Sequence, residues 1–98
     1  MDDRQAMIDE LIECFNFERV HIAMKALDWH WCSTEDNGHA VPSIAKLKAM
    51  ARHLLRESTK SGVCASGGLE AKYHPKVDQD PECFELKFIL HHADSYDD

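Results

Sequence analysis

Ninety-eight residues with 44% hydrophobic and 30% charged side chains, four glycines and three prolines suit one globular domain over residues 1–98 and exclude a disordered, fibrous or two-domain chain. Eleven Lys and Arg against 18 Asp and Glu leave a formal net charge of −7, which opposes contacts to a phosphate backbone and argues against nucleic acid as the main partner. The opening MDDRQAMIDELIECF lacks the cationic lead and apolar run of a secretion signal, and no stretch approaches the ~20 apolar residues of a membrane span, so the expectation is a cytoplasmic protein with no membrane partner.

Met7, Ile8, Leu11, Ile12 and Phe15 recur at helical spacing and predict an amphipathic helix over about residues 3–14. Asn16 is placed to cap a second helix by accepting the orphan N–H of Glu18 or Arg19, with Phe15 and Val20 as a hydrophobic staple. That helix continues through Val20, Ala23, Met24 and Leu27, and two helices meeting at Asn16 must fold back on each other to hide their stripes. DWHWC, residues 28–32, reads as an extended segment with Trp29 and Trp31 on one side and His30 and Cys32 on the other. The polar run STEDNGHA then reads as a surface turn. Pro42 and Ser43 announce a third helix, capped by Ser43, with Ile44, Leu47, Ala51, Leu54 and Leu55 as its buried stripe and an end near Lys60 to Gly62.

Glycines gather only in SGVCASGGLEAKY, residues 61–73. Beyond them Leu69, Ala71 and Tyr73 alternate on one strand and Phe84, Leu86, Phe88 and Leu90 on another, joined by the exposed connection HPKVDQDPE. The outward residues, Glu70 with Lys72 and Glu85 with Lys87, are spaced for cross-strand pairs on a wet face. The expected architecture is α+β, helices packed on one face of a small antiparallel sheet in the order α-α-β-α-β-β, with HHADSYDD as a partly frayed acidic tail. The edge at residues 84–90 favours self-association, because an open edge invites pairing.

Cys14, Cys32, Cys64 and Cys83 are far apart with no C-x-x-C pair, which predicts reduced, buried or half-buried thiols. His30 with Cys32, and His91 with His92, find no further ligands at a spacing that closes a tetrahedral metal site. No nucleophile stands in a recognised setting, so the expectation is a protein that is not an enzyme and carries no cofactor. ASGGLEA matches neither G-x-x-x-x-G-K-[ST] nor G-x-G-x-x-G and precedes a strand instead of opening a helix. Its glycines predict a bulge or a tight strand start at positive φ, a backbone kept bare for a ligand or second subunit, or both.

Charge is uneven along the chain. Residues 1–18 hold Asp2, Asp3, Asp9, Glu10, Glu13 and Glu18 against Arg4, whereas residues 46–60 hold Lys46, Lys48, Arg52, Arg56 and Lys60 against Glu57. Lys48, Arg52 and Arg56 stand four apart and form one cationic line on the third helix. Such a line is either a solvated face or a surface that attracts a phosphate-rich ligand or an acidic face of another copy. Arg19 offers a further forked donor suited to phosphate.

Taken together, FNFERVHIAMKALDWHW (residues 15–31), VPSIAKLKAMARHLL, SGGLEA and FELKFIL resemble a set of small phage and prophage proteins with the pattern F-x-F-x-x-V-H-x-x-M-x-x-L-x-W-x-W, a V-P-x-I/V helix, G-G-F-x-A and a closing L-x-L-x-F strand. The resemblance covers roughly residues 15–90. It extends to the Thoeris anti-defence sponge proteins, and implies a counter-defence factor, working in a bacterial host cytoplasm, that binds a cyclic ADP-ribose-type signal or a cyclic oligonucleotide between subunits without cleaving it. With the basic helix, it implies a homo-oligomer whose anionic nucleotide ligand meets the backbone around Ser66, Gly67, Gly68 and Leu69 on one wall and Arg19, Lys48, Arg52 and Arg56 as positive charge. The sequence departs from the pattern at Leu69, where the relatives carry an aromatic residue. A second reading is an inhibitor that grips a host defence protein directly, as acidic anti-CRISPR proteins do, through Asp2, Asp3, Asp9, Glu10 and Glu13 or the tail. A third is an accessory phage protein with no ligand.

Overall fold

The computed structural model describes residues 3–26 and 41–89. They form α1 (Asp3–Cys14), α2 (Phe17–Ala26), α3 (Ile44–Ser61), β1 (Val63–Ser66), β2 (Leu69–His74) and β3 (Cys83–Phe88). This is an α+β fold in which the helices cover one face of a three-stranded antiparallel sheet of order β1-β2-β3. The described order is α-α-α-β-β-β, and the strand expected at residues 28–32 lies outside the described residues, as do Leu27, Leu90 and the acidic tail.

Local chemistry sets the helix limits. Asn16 Oδ1 accepts the Arg19 N–H at 3.0 Å, capping α2, and the Asn16 carbonyl accepts from Val20 at 3.4 Å. Ser43 caps α3 in the same way, its Oγ taking the Lys46 N–H at 3.2 Å from an extended backbone. At the other end Gly62, at φ 89°, donates to the Ser58 carbonyl at 2.7 Å and stops the helix in a conformation a β-carbon would resist. The buried Ser58 hydroxyl donates to the Leu55 carbonyl at 2.6 Å, so its polarity is satisfied inside the core.

The first helix turns a narrower stripe inward than the periodicity suggests, whereas Leu47, Ala51, Leu54 and Leu55 of α3 are buried as expected and Ile44 is half-buried. Ile8 and Ile12 of α1 are buried, while Met7, Leu11 and Phe15 stay half-buried. Phe17, Val20 and Met24 of α2 meet Leu47, Ala51, Leu54 and Leu55 of α3 over Leu69, Ala71 and Leu86 of the sheet. Fully burying one such aliphatic side chain contributes about 1.5–3 kcal/mol, so this layer is the main cohesive term.

The sheet corrects the reading of the glycine-rich stretch. Gly67 and Gly68, at φ 59° and 90°, are the two central residues of a type I′ turn that closes Ser66 onto Leu69, so residues 63–66 are a strand and not a bulge or a bare strand start. Along β2 and β3, Glu70 stands opposite Lys87 and Lys72 opposite Glu85, the expected wet-face pairing. The connection between them is exposed and carries a small turn of its own: Val77 and Asp80 exchange N–H···O bonds of 3.1 and 2.8 Å around Asp78 at φ 52°.

Arg4 ties α1 to that connection. Its Nε lies 2.9 Å from Glu82 Oε1, which also accepts the Tyr73 hydroxyl at 2.9 Å, and the guanidinium sits 5.4 Å from the Tyr73 ring centre. Hydrogen bonds from Arg4 and then Tyr73 hold the Glu82 carboxyl below its ordinary value, while partial desolvation and the bond to Glu82 push the Tyr73 phenol up.

Candidate ligand-binding groove

The corner between α1 and α2 builds an open groove. The chain must reverse at Phe15 and Asn16, and the Asn16 cap fixes the angle at which α2 leaves. Phe17 is buried and holds the corner down. Phe15, its ring 4.9 Å from that of Phe17 and inclined by 63°, is left half open. Arg19 and Ala23 follow one turn apart on α2, with Val20 beside them, and Phe88 closes the far side from the end of β3. Together these residues line an open groove of about 490 Å³. That is the size range of small-ligand sites, which run to roughly 300–1,000 Å³. Two aromatic residues, one arginine and one asparagine are thus among its lining. Asn16 Oδ1 is committed to the α2 cap, so its NH2 group is the part that can donate to a ligand.

The cationic line of α3 is placed differently. Arg52 Nε lies 3.5 Å from Asp9 Oδ1, and Asp9 also accepts from Gln5 at 3.0 Å. Lys48, one turn earlier, lines a separate cavity of about 430 Å³ in company with Glu13 and Glu18, across the Phe15–Asn16 corner from Arg19. Arg56 is exposed and makes no ion pair among the described residues. Asp9, Glu13 and Glu18 of the acidic N-terminal block thus lie near Arg52 and Lys48 of the basic line. An exposed pair such as Arg52–Asp9 contributes little to stability, about 0–1 kcal/mol, and its main effect here is to cancel positive potential at the middle of the line.

Of the glycine-turn residues, Ser66 is exposed and Gly67 and Gly68 are half-buried, but Leu69 is fully buried in the core. Its side chain is therefore sealed from solvent, and only backbone of this turn is open to a ligand. It faces the helices because strand alternation puts it in the same row as Ala71. The turn nevertheless lies at the groove's end of the sheet: Leu69 is paired with Phe88, and Ile89 donates its N–H to the Gly68 carbonyl. The structure therefore puts Arg19 in one groove with Phe88, leaves Ser66, Gly67 and Gly68 off its lining, and leaves Arg52 bound to α1.

Phe15, Asn16 and Phe88 enter the groove although their spacing marks them as staple, cap and core. For Phe15 a signal existed, since a staple residue at a helix–helix corner has solvent on one side. For Phe88 none did, because strand alternation does not say which end of a strand a helix will leave open.

The cysteines divide. Cys64 is half-buried, 3.2 Å from Ser61 Oγ, as expected of a packed thiol. Cys14 and Cys83 are exposed, a correction that follows from their places at the last position of α1 and the first of β3, where the core no longer covers them. Cys32 lies outside the described residues. Among the described residues no three His, Cys, Asp or Glu side chains gather around a point that could hold a metal ion, and no helix is long and apolar enough to cross a membrane.

Comparison of the chain with protein-family models, with curated proteins and with solved structures finds no match.

Proposed function

We propose that this protein is a phage-type anti-defence factor that sequesters an anionic, ring-bearing signal, a cyclic nucleotide or a cyclic ADP-ribose-type molecule, in the groove of Phe15, Arg19 and Phe88, without cleaving it. The observation that carries the reading is an exposed arginine, Arg19, lining one open groove together with two aromatic residues, Phe15 and Phe88. A guanidinium grips phosphate oxygens in a forked, charge-assisted pair. Aromatic rings stack on bases, a contact with an aromatic side chain being worth about 1–3 kcal/mol. The N-terminal end of α2 adds a weak favourable field for an anion. The described lining residues are Phe, Asn, Arg, Val and Ala, a set that holds an anion and offers no nucleophile or general base. A sponge acts by mass action and needs only abundance and affinity. In this reading Ser66, Gly67 and Gly68 contribute backbone at the groove's end, Lys48 and Arg56 contribute distant attraction, and Arg52 contributes little because Asp9 already engages it.

Calorimetry against cyclic ADP-ribose isomers and cyclic di- and trinucleotides tests it. Binding is expected at micromolar protein, weakened at least about tenfold by Arg19→Ala and less by Lys48→Ala, since a charged hydrogen bond is worth about 1.5–3 kcal/mol and a distant charge far less. Far-UV circular dichroism should be unchanged in both variants because both side chains are exposed. No heat with any of these ligands, or an Arg19→Ala protein that binds as tightly as the parent, defeats the proposal.

A further inference from the structure

The outer side of β3 carries no strand of the described residues, and its backbone groups can be assigned by alternation. Ile89 donates to the Gly68 carbonyl, one step beyond the Leu69–Phe88 pair, so the odd-numbered residues of β3 turn their N–H and C=O toward β2. Phe84 and Leu86 therefore turn theirs away from the sheet. Such an edge is a template for a further strand.

We propose that β3 pairs antiparallel with β3 of a second copy about a two-fold axis through Leu86, joining the two sheets into one of six strands. The inference is independent of the ligand proposed above. Charge selects both the occupant and the register. An axis at Leu86 sets Glu85 of each copy opposite Lys87 of the other, repeating across the dimer the alternation that Glu70–Lys87 and Lys72–Glu85 make within one chain. An axis at Glu85 sets like charges opposite each other, and one at Phe84 leaves Lys87 overhanging. The Leu86 axis also gives the two outward-facing Leu86 backbones their mutual pair of N–H···O bonds.

Strand pairing alone is a weak association, and the structure supplies a second contribution beside the same edge. Met7, Leu11 and Cys14 of α1 with Cys83 and Phe84 of β3 line an open groove of about 280 Å³, apolar but for Glu10. The two-fold sets Phe84 of each copy opposite Phe88 of the other, so the half-exposed Phe84, with Met7 and Leu11 beside it, loses water in the pair. Glu10 belongs at the rim, where its charge stays hydrated.

The test is the mass of the full chain in solution, by light scattering and native mass spectrometry over a concentration series. The parent should dimerise. Lys87→Glu alone and Glu85→Lys alone each set like charges across the axis twice and should weaken dimerisation at least about tenfold, the effect of two such pairs. Mixed together, the two variants restore opposite charges at both positions and should form a heterodimer. Charge pairs inside each chain are the same alone and mixed, so the rescue reads the interface and not the fold. A parent that stays monomeric, its edge covered by other residues of its own chain or reserved for a different protein, overturns the proposal. So does a mixture that gives no heterodimer.

Discussion

The two hairpins of the sheet are built on opposite principles. β1 and β2 are joined by Gly67 and Gly68 alone, both at positive φ, whereas β2 and β3 are joined by residues 75–82, a connection held by the contacts of Glu82 with Arg4 and Tyr73. In the first, backbone conformation defines the register before any side chain acts. In the second, a long exposed loop gains order from a helix through Arg4, which stands 78 positions from Glu82 in sequence. A tight turn tolerates few residues and needs no support, while a long one tolerates many and depends on its tether.

Substitution separates the two. Replacing both Gly67 and Gly68 by Val forces β-branched residues to positive φ at about 1–2 kcal/mol each, so urea unfolding should show a loss of about 2–4 kcal/mol. Gly67→Asn should leave the midpoint nearly unchanged, because Asn-Gly is itself a favoured type I′ pair. If the double variant unfolds at the parent's midpoint, the tight turn does not set the register.

The tether should break more gently and with a pH signature. Glu82 is held below its ordinary value of 4.5 by hydrogen bonds from Arg4 and Tyr73. A depressed carboxylate contributes stability that is fully present above the unfolded value and is lost as pH falls through the folded one. Glu82→Gln should therefore cost stability near neutral pH, with the gap to the parent closing below about pH 4.5. Denaturation midpoints across pH 3–7 check this, and a gap that stays constant with pH would mean that the charge of Glu82 plays no part. The smallest effect belongs to Asp78, a non-glycine residue at φ 52° in the loop's own turn. Asp visits that region more readily than most residues, so Asp78→Gly should change stability by less than about 1 kcal/mol.

Much of the fold is legible in short stretches. The Asn16 and Ser43 caps, the Gly62 stop and the alternation of residues 69–73 and 84–88 all concern neighbours within about four positions, where spacing fixes geometry. Strand β1 escaped that reading because Val63, Cys64, Ala65 and Ser66 are small, and only two of them bring β-branched or sulfur-bearing bulk. The Gly-Gly pair that follows was the better signal, since two glycines between two extended runs indicate a hairpin. The groove was less legible. Arg19 is identifiable from the sequence as a donor, but the spacing of Phe15 and Phe88 marks them only as staple and core.

By itself the sequence determined the α+β class, the limits of α1 and α3, the start of α2, the alternation of β2 and β3 and their charge pairing, since each depends on local conformation or on a period-two pattern. Only the tertiary structure decided that Asp9 would reach Arg52, that Leu69 would be sealed in the core, and that Phe88 would stand near Arg19. Those facts turn on how α1 and α2 lie across α3 and the sheet. Periodicity specifies which side of a helix is apolar, but the angle and offset at which two apolar sides meet are set by the packing of all their side chains at once.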